Sequence, residues 1–417
     1  MGRRARPEAA LDAAACRSDR VLRVLLRRRL RSIRRPPDPR ARHDGRAGLA
    51  VPRRETPAHR LRRIGREAAR GAGRGRRRAR AAGREGGGLS ASDPRRIALL
   101  GFGNVGRALA RLLLQRRSDV PFVVAAIVTA RHGWWVDPGG IDLADALARD
   151  RLPSSGPAPA VRDLACDVLV ELTTLDARSA QPALDHVRDA LRAHKHVVTA
   201  NKGPIARAYR ELRDLARASE RELRFEATVA DCLPVFNVRR AALPLAEIRA
   251  MRGIVSSTTN HILTAAARGV SFAAALAEAQ RLGIAEADPS NDLEGHDAAA
   301  KATILANVLM DADISVEDVR REPVDERAAR DAAAAARDGA RVRPLVTVRR
   351  DAGGVSASTG PRRLDPLDPL YAVDGWSMAL ELDTDLAGTV VVQLHDPHVE
   401  QVAYAVLTDL LEITGLT

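Results

Sequence analysis

A chain of 417 residues is long enough for two or three domains with cores of their own. Its formal net charge of +14 suggests a nucleic-acid binder, but residues 1–93 alone hold 28 Arg, no Lys and 9 acidic residues, against 39 basic and 44 acidic residues in the rest. The body is a mildly acidic globular protein, and a nucleic-acid partner is expected only through the basic extension.

Residues 1–93 read Arg-Gly-Ala with scattered Pro and almost no aromatic residues, so disorder is expected there. Three roles stay open for this segment: a dispensable start, a polyanion-binding arm, or an Arg-rich transit leader. Its one apolar piece, Val21 to Leu30, is interrupted by Arg23 and by Arg27 to Arg29 and is too short to cross a bilayer. No signal-peptide cleavage region follows it, and no membrane association is expected. Cys16, Cys166 and Cys232 show neither CxxC spacing nor a disulfide framework, which points to reduced cytoplasm. Cys232 reads as a small packed residue rather than a reactive thiol. Of 67 basic residues only Lys195, Lys202 and Lys301 are lysine. Arginine cannot release a proton at working pH, whereas burial can lower the pKa of a lysine into range. The lysines are therefore candidates for places that need a titratable amine, although Lys195, between His194 and His196, reads as incidental.

At Arg95 the composition changes. Ile97 to Leu100 reads as a strand running into Gly101-Phe102-Gly103-Asn104-Val105-Gly106 and then a helix, Arg107 to Arg116. Strand, G-x-G-x-x-G, helix is the pattern of a dinucleotide site: a tight turn, a backbone that a pyrophosphate can approach, and free amides at a helix start. The second strand, Phe122 to Val128, ends in Thr129-Ala130-Arg131-His132 without a carboxylate for a ribose 2′-hydroxyl. Arg131 could meet a 2′-phosphate, so NADP is favoured over NAD.

Asp167 to Thr174 and His196 to Lys202 read as further strands ending in polar groups, and Arg221 to Val229 adds another. Ligands of parallel sheets gather at the carboxyl ends of strands, so Thr173, Thr174, Asn201 and Lys202 should converge near the cofactor. Alternation of strand and helix from 95 to 230 predicts a doubly wound α/β domain. Beyond 230 the pattern changes to α+β. A strand is expected at Ala246 to Val255, an alanine-rich helix at Ser271 to Leu282 with Gly283 behind it, and a long helix from Glu294 to Met310. Strands follow at Val342 to Val348 and Leu386 to Gln393, and a last amphipathic helix at His398 to Leu411. The expected organisation is a disordered extension (1–93), a dinucleotide-binding domain (94–230, completed by 395–417) and a substrate-binding and dimerisation domain (231–394).

The densest polar stretch holds Glu286, Asp288, Asp292, Glu294, Asp297 and Lys301. Asp297 and Lys301 are i, i+4, with the acid N-terminal to the base, so they share a helix face. Beside a nicotinamide, a buried lysine can stabilise a developing alkoxide and donate its proton, and the carboxylates can hold an α-ammonium. A substrate with an amine and a carbonyl fits this set.

The segments GFGNVGRAL (101–109), VELTT (170–174), HVVTANKGPIA (196–206), FEATVADCLPVF (225–236), GIVSSTTNHIL (253–263) and LGIAEADPSNDLEGHDAAAKATILA (282–306) occur in that order. Together with 368–392 and 399–413 they resemble homoserine dehydrogenases over about 95 to 415. The resemblance implies a homodimeric, cytoplasmic, NAD(P)-dependent oxidoreductase of threonine and methionine biosynthesis, interconverting L-aspartate 4-semialdehyde and L-homoserine. By position it implies that Lys301 is the proton donor and acceptor, Lys202 lies beside nicotinamide and substrate, and Asp297 partners Lys301. It further implies that Glu286, Asp292 and Thr258 bind the substrate, and that a monovalent cation sits near Glu226 and Val229. The cofactor set is Gly101, Gly103, Asn104, Val105, Gly106, Arg131, Thr173, Thr174 and Lys202. The chain departs from the family at Ser256-Ser257-Thr258, commonly Asn-Gly-Thr, at Asp231-Cys232, commonly a Gly-rich pair, and at Ile284, commonly aromatic. Control by threonine through an ACT-type domain is not expected. Two alternatives stay open at this point: a related dehydrogenase for another amino-acid aldehyde, and a cofactor-binding paralogue without turnover.

Overall fold

The computed structural model describes residues 94–176 and 178–415. The extension expected over 1–93, with Cys16, lies outside them. Two six-stranded sheets organise the described chain.

The first sheet starts with β1 (Arg95–Leu100), whose last four residues are buried, and passes through the Gly-rich turn into helix α1 (Asn104–Gln115). β2 (Phe122–Val128), β3 (Trp134–Val136), α2 (Leu143–Ala148), β4 (Val168–Glu171), α3 (Ala183–Arg192), β5 (His196–Thr199), α4 (Lys202–Ala218) and β6 (Leu223–Arg224) follow. The strand order is β3-β2-β1-β4-β5-β6, all parallel except β3. Parallel sheets are covered on both faces and read as apolar runs, which is why Val168, Leu169 and Val170 are fully buried. The connection reverses direction between β1 and β4, and in such sheets the crevice at that point takes the ligand.

The second sheet has the order β12-β11-β7-β9-β10-β8. β7 (Ile248–Ile254), β9 (Arg341–Asp351), β10 (Gly354–Leu364), β11 (Met378–Thr384) and β12 (Gly388–Leu394) pair antiparallel, and β8 (Arg320–Arg321) adds a short parallel edge. Helices α5 (Ser257–Ala267), α6 (Phe272–Arg281), α7 (His296–Leu309) and α8 (Glu326–Arg337) complete this half. α7 packs on β9 and β10 and also against α4, so one helix touches both halves. Helix α9 (Val399–Thr414) returns to the first sheet, where Ala403, Val406 and Leu410 join the core of Ile97, Leu99 and Leu109.

Several boundaries differ from the sequence reading: the strand expected over 167–174 ends at Glu171, the first helix starts at Asn104 rather than Arg107, and four others have a clear local cause. The strand expected over 196–202 stops at Thr199, because the Asn201 side chain accepts the Gly203 N–H and caps α4, making Lys202 a helix residue. The strand expected over 221–229 is only Leu223–Arg224. Beyond it the Asp409 carboxylate accepts the Glu226 N–H at 2.8 Å and takes the backbone off the ladder into a 3₁₀ turn, Glu226–Thr228. The strand expected from Leu386 starts at Gly388, since Thr384 Oγ1 bonds Gly388 O (2.8 Å) and Ala387 N (3.0 Å) to close a hairpin. The helix expected from Glu294 starts at His296, because Gly295 takes the left-handed φ of +77°.

Candidate active site

The Gly-rich turn divides its labour in the way its spacing suggests. Gly101 has φ +99°, and a Cβ there would stand 2.4 Å from the Leu172 carbonyl oxygen. A Cβ on Gly106 would stand 2.7 Å from Gly101 O, so this glycine lets α1 seat against the turn. Gly103 faces open space, with no atom within 4 Å of where its Cβ would be. It is also the N-cap of α1 and supplies no side-chain cap, and Asn104 beside it is exposed while Val105 is half-buried. Uncapped amides under an open cradle suit a pyrophosphate. Arg131 lies exposed in the loop after β2, and Arg151, which the sequence reading missed, donates to its carbonyl at 3.3 Å. The Arg151 guanidinium thus meets the backbone of Arg131 on the loop after β2. Only the fold could show this, because the two are 20 residues apart.

Across the crevice, three side chains from α4 and α7 meet. Asp297 is 6% exposed and takes the Lys301 ammonium on Oδ2 at 2.8 Å and the Lys202 ammonium on Oδ1. Lys301 Nζ also donates to Val255 O at 2.6 Å. Burial alone would raise the Asp297 carboxyl, but the charges of Lys202 and Lys301 outweigh it and hold the group well below the usual carboxylate range. Burial likewise works to lower Lys301, and the carboxylates of Asp297, Asp231 and Asp292 outweigh it, so its pKa stands above the ordinary lysine value. The sequence reading expected burial to lower this amine. The structure reverses the sign, because more carboxylates than ammoniums surround it.

Asp292 sits in the short helical turn Ser290–Leu293 and accepts the Thr258 hydroxyl at 2.7 Å. Burial raises its carboxyl, and the charge of Asp297 adds to the rise. Asp231, at the left-handed φ of +53°, feels both lysines, and burial raises its carboxyl too. Two ammoniums against three carboxylates leave the cluster with a net negative charge. Glu286 lies outside this group: it is exposed on the turn after α6, and its side chain makes no bond among the described residues. Thr173 is half-buried and bonded to Asn201 Nδ2 through its carbonyl at 3.1 Å, whereas Thr174 is exposed. Cys232 is half-buried, and burial raises its thiol, which disfavours the thiolate. Lys195 donates to Leu164 O at 2.6 Å and is a core group.

Residues 101–226 match the family model for the homoserine dehydrogenase NAD-binding domain, and 234–411 match the homoserine dehydrogenase model. The NAD(+)-dependent homoserine dehydrogenase of Pseudomonas canavaninivorans is 35% identical over 346 residues, covering 76% of this chain and 96% of that one. The chain belongs to the homoserine dehydrogenase family. It is an oxidoreductase with a nicotinamide-dinucleotide domain. The homoserine dehydrogenase of Methanocaldococcus jannaschii is 32% identical over 338 residues, covering 77% of this chain and 99% of that one. Among solved structures, the homoserine dehydrogenase of Thermoplasma acidophilum has a TM-score of 0.68 at 29% identity, covering 78% of this chain and 100% of that one. A hyperthermophilic archaeal homoserine dehydrogenase in complex with NADPH has a TM-score of 0.66 at 29% identity, covering 78% and 98%.

Proposed function

We propose that this homoserine dehydrogenase works by proton transfer through Lys301, with Asp297 and Lys202 holding that lysine in place and Thr258 and Asp292 receiving the substrate's α-ammonium. The observation that carries this reading is the convergence of Lys202 and Lys301 on one buried carboxylate. A bound nicotinamide supplies or takes the hydride. Lys301 rests as an ammonium, so it is ready to give its proton to the oxygen of a reduced aldehyde and must lose it before an alcohol is oxidised. Lys202 adds a second positive charge where the oxyanion develops. Glu286, exposed beside the site, reaches the substrate only if its turn folds inward.

The domain from 94 to 230, completed by 395–417, is proposed to hold the cofactor at Gly101, Gly103, Asn104, Val105, Gly106, Thr173 and Thr174, and that from 231 to 394 to hold the substrate. NADP is the proposed preference, supported by Arg131 and Arg151 at the end of β2 and by the absence of an acid in residues 129–133. The Glu226 carboxylate does not fit a cation: its oxygens accept the amides of Phe236 (2.9 Å) and Asn237 (2.8 Å). An ion near Glu226 and Val229 would rest on main-chain oxygens. A homodimer built on the second sheet is proposed from its open edge β12, where Val391 is 40% exposed. A cytoplasmic role in threonine and methionine synthesis is proposed from the free thiols of Cys166 and Cys232 and the family reaction. Among the described residues no helix is long and apolar enough to cross a membrane. The deciding assay is oxidation of L-homoserine with NADP and with NAD; no turnover with either would refute the reading.

A further inference from the structure

The site described so far draws its carboxylates from residues 231 to 297. One buried carboxylate of the first sheet has no part in it. Glu171 is the last residue of β4 and is fully buried. No Lys or Arg pairs with it among the described residues; the nearest basic group is His186, whose Nδ1 stands 3.6 Å from Oε1, beyond a hydrogen bond. A carboxylate in such a place is costly unless its lone pairs are filled.

Hydrogen-bond donors from two strand ends fill them. Oε1 accepts the Thr173 main-chain N–H at 3.1 Å and the Thr173 hydroxyl. The hydroxyl of Thr199, the last residue of β5, lies 3.3 Å from Oε2 and 3.2 Å from the Glu171 main-chain oxygen, so its one proton is shared between the two. The same hydroxyl oxygen accepts the Asn201 N–H at 2.9 Å. Asn201 in turn donates to Thr173 O (3.1 Å) and accepts from Gly203 N (3.0 Å), capping α4. The next link is Lys202, first residue of that helix and partner of Asp297. One carboxylate therefore ties the ends of two adjacent parallel strands to each other and to the start of the helix that presents a lysine to the reaction.

We propose that Glu171 is a positioning residue for the dehydrogenase reaction, fixing Thr173 and, through Thr199 and Asn201, the approach of Lys202 to Asp297. It touches neither substrate nor reacting atoms. Its identity matters because a carboxylate accepts on both oxygens, whereas an amide accepts on one and donates from the other. Glutamine keeps the shape and volume but turns a donor toward Thr199 or Thr173, so one of the two loops loses its anchor. The proposal rests on the reading of Thr173 and Lys202 as the cofactor-side wall.

The test is Glu171→Gln in the full chain, with Lys202→Met alongside. Four quantities are read: kcat for homoserine oxidation, KM for homoserine, the primary deuterium isotope effect with homoserine deuterated at the reacting carbon, and Tm. Glu171→Gln is expected to lower kcat about tenfold or more, since small misplacements cost rates of this order. KM for homoserine should stay within about threefold, because Thr258 and Asp292 are not in the network. The isotope effect should rise, as a misaligned hydride transfer becomes the slow step in place of product release. Tm should stay within a few degrees of the parent. An unchanged kcat, or a lower kcat with an unchanged isotope effect and a fall in Tm, would make Glu171 a packing group and overturn the proposal. If Lys202→Met also turned over at the parent rate, the fault would lie in the reading of the site itself. Should Glu171→Gln fail to fold, Thr199→Val removes the hydroxyl that links Glu171 to the Asn201 N–H and is read in the same way; no change in its isotope effect would equally overturn the proposal.

Discussion

Replacing Lys301 by arginine separates charge from proton. The ammonium is 12% exposed and held by Val255 O at 2.6 Å and Asp297 Oδ2 at 2.8 Å, while Asp297 Oδ1 already belongs to Lys202. An incoming guanidinium can claim only one oxygen of Asp297, so its fork is half used, and its extra bulk enters a packed site at a cost of about 1–3 kcal/mol in stability. It keeps the positive charge but cannot give up a proton at working pH. Loss of a general acid–base typically lowers turnover by about 10²–10⁴-fold, which is about 3–5 kcal/mol on the barrier. Cofactor affinity should be unmoved, because Gly101 to Gly106 belong to the other sheet. The pH profile sharpens the test. Oxidation of homoserine needs the free amine of Lys301, whose pKa is raised by Asp297 against burial, so the parent rate should climb steadily into alkaline pH. Reduction of the aldehyde needs the ammonium and should fall over the same range. In Lys301→Arg the alkaline climb should vanish. The assay is kcat against pH in both directions, beside a direct titration of the reduced cofactor. A variant keeping more than about a third of the parent kcat would show that Lys301 supplies charge alone. A parallel loss of cofactor affinity would show a structural ion pair.

Arg131→Ala should raise KM for NADP several-fold and leave KM for NAD unchanged, and equal effects on both would remove Arg131 from the 2′-phosphate site. Gly103→Ala should preserve Tm yet weaken the cofactor, since its Cβ meets no protein atom within 4 Å; Gly106→Ala should lower Tm as well, because its Cβ would stand 2.7 Å from Gly101 O. Burial pushes the Asp409 carboxyl up from 3.8 to about 8, and Glu226 up from 4.5 to about 7. The fold therefore binds protons that the unfolded chain releases, and stability should fall as pH rises from about 4 through about 8. Asp409→Asn, whose amide oxygen can still accept the Glu226 N–H, should flatten that fall in a calorimetric Tm series. A slope matching the parent's would assign it to other groups.

Much of the first domain was legible because its signals are local. β2 spans Phe122–Val128, as its apolar run suggested, and the Gly-rich turn lies between β1 and α1. The scarcity of lysine was equally readable, and two of the three lysines meet on one carboxylate. What the sequence hid depends on partners far along the chain. The early end of the strand at Arg224 follows from Asp409, 183 residues beyond Glu226. The raised Lys301 follows first from Asp297, whose spacing was readable, and then from Asp231, which lies in another loop and looked only like a departure from a Gly-rich pattern. Glu171 read as one more residue of an apolar strand, because its donors come from loops whose geometry no spacing reveals. In the second sheet, β10 and β11 went unread, since Ser, Arg and Pro in the one and Glu and Asp in the other dilute the apolar alternation.

The return of α9 to the first sheet has a consequence for how the chain is made. Ala403, Val406 and Leu410 cover the face formed by Ile97, Leu99 and Leu109, and Asp409 holds the turn at Glu226. During synthesis, β1 and the Gly-rich turn emerge more than 280 residues before the helix that seals them. The growing polypeptide must therefore carry an apolar sheet face uncovered for most of its time on the ribosome. At about 5–20 residues per second that is roughly 15 seconds to a minute. Chaperone capture in that interval is the natural outcome of a domain whose sealing helix is made long after its first strand.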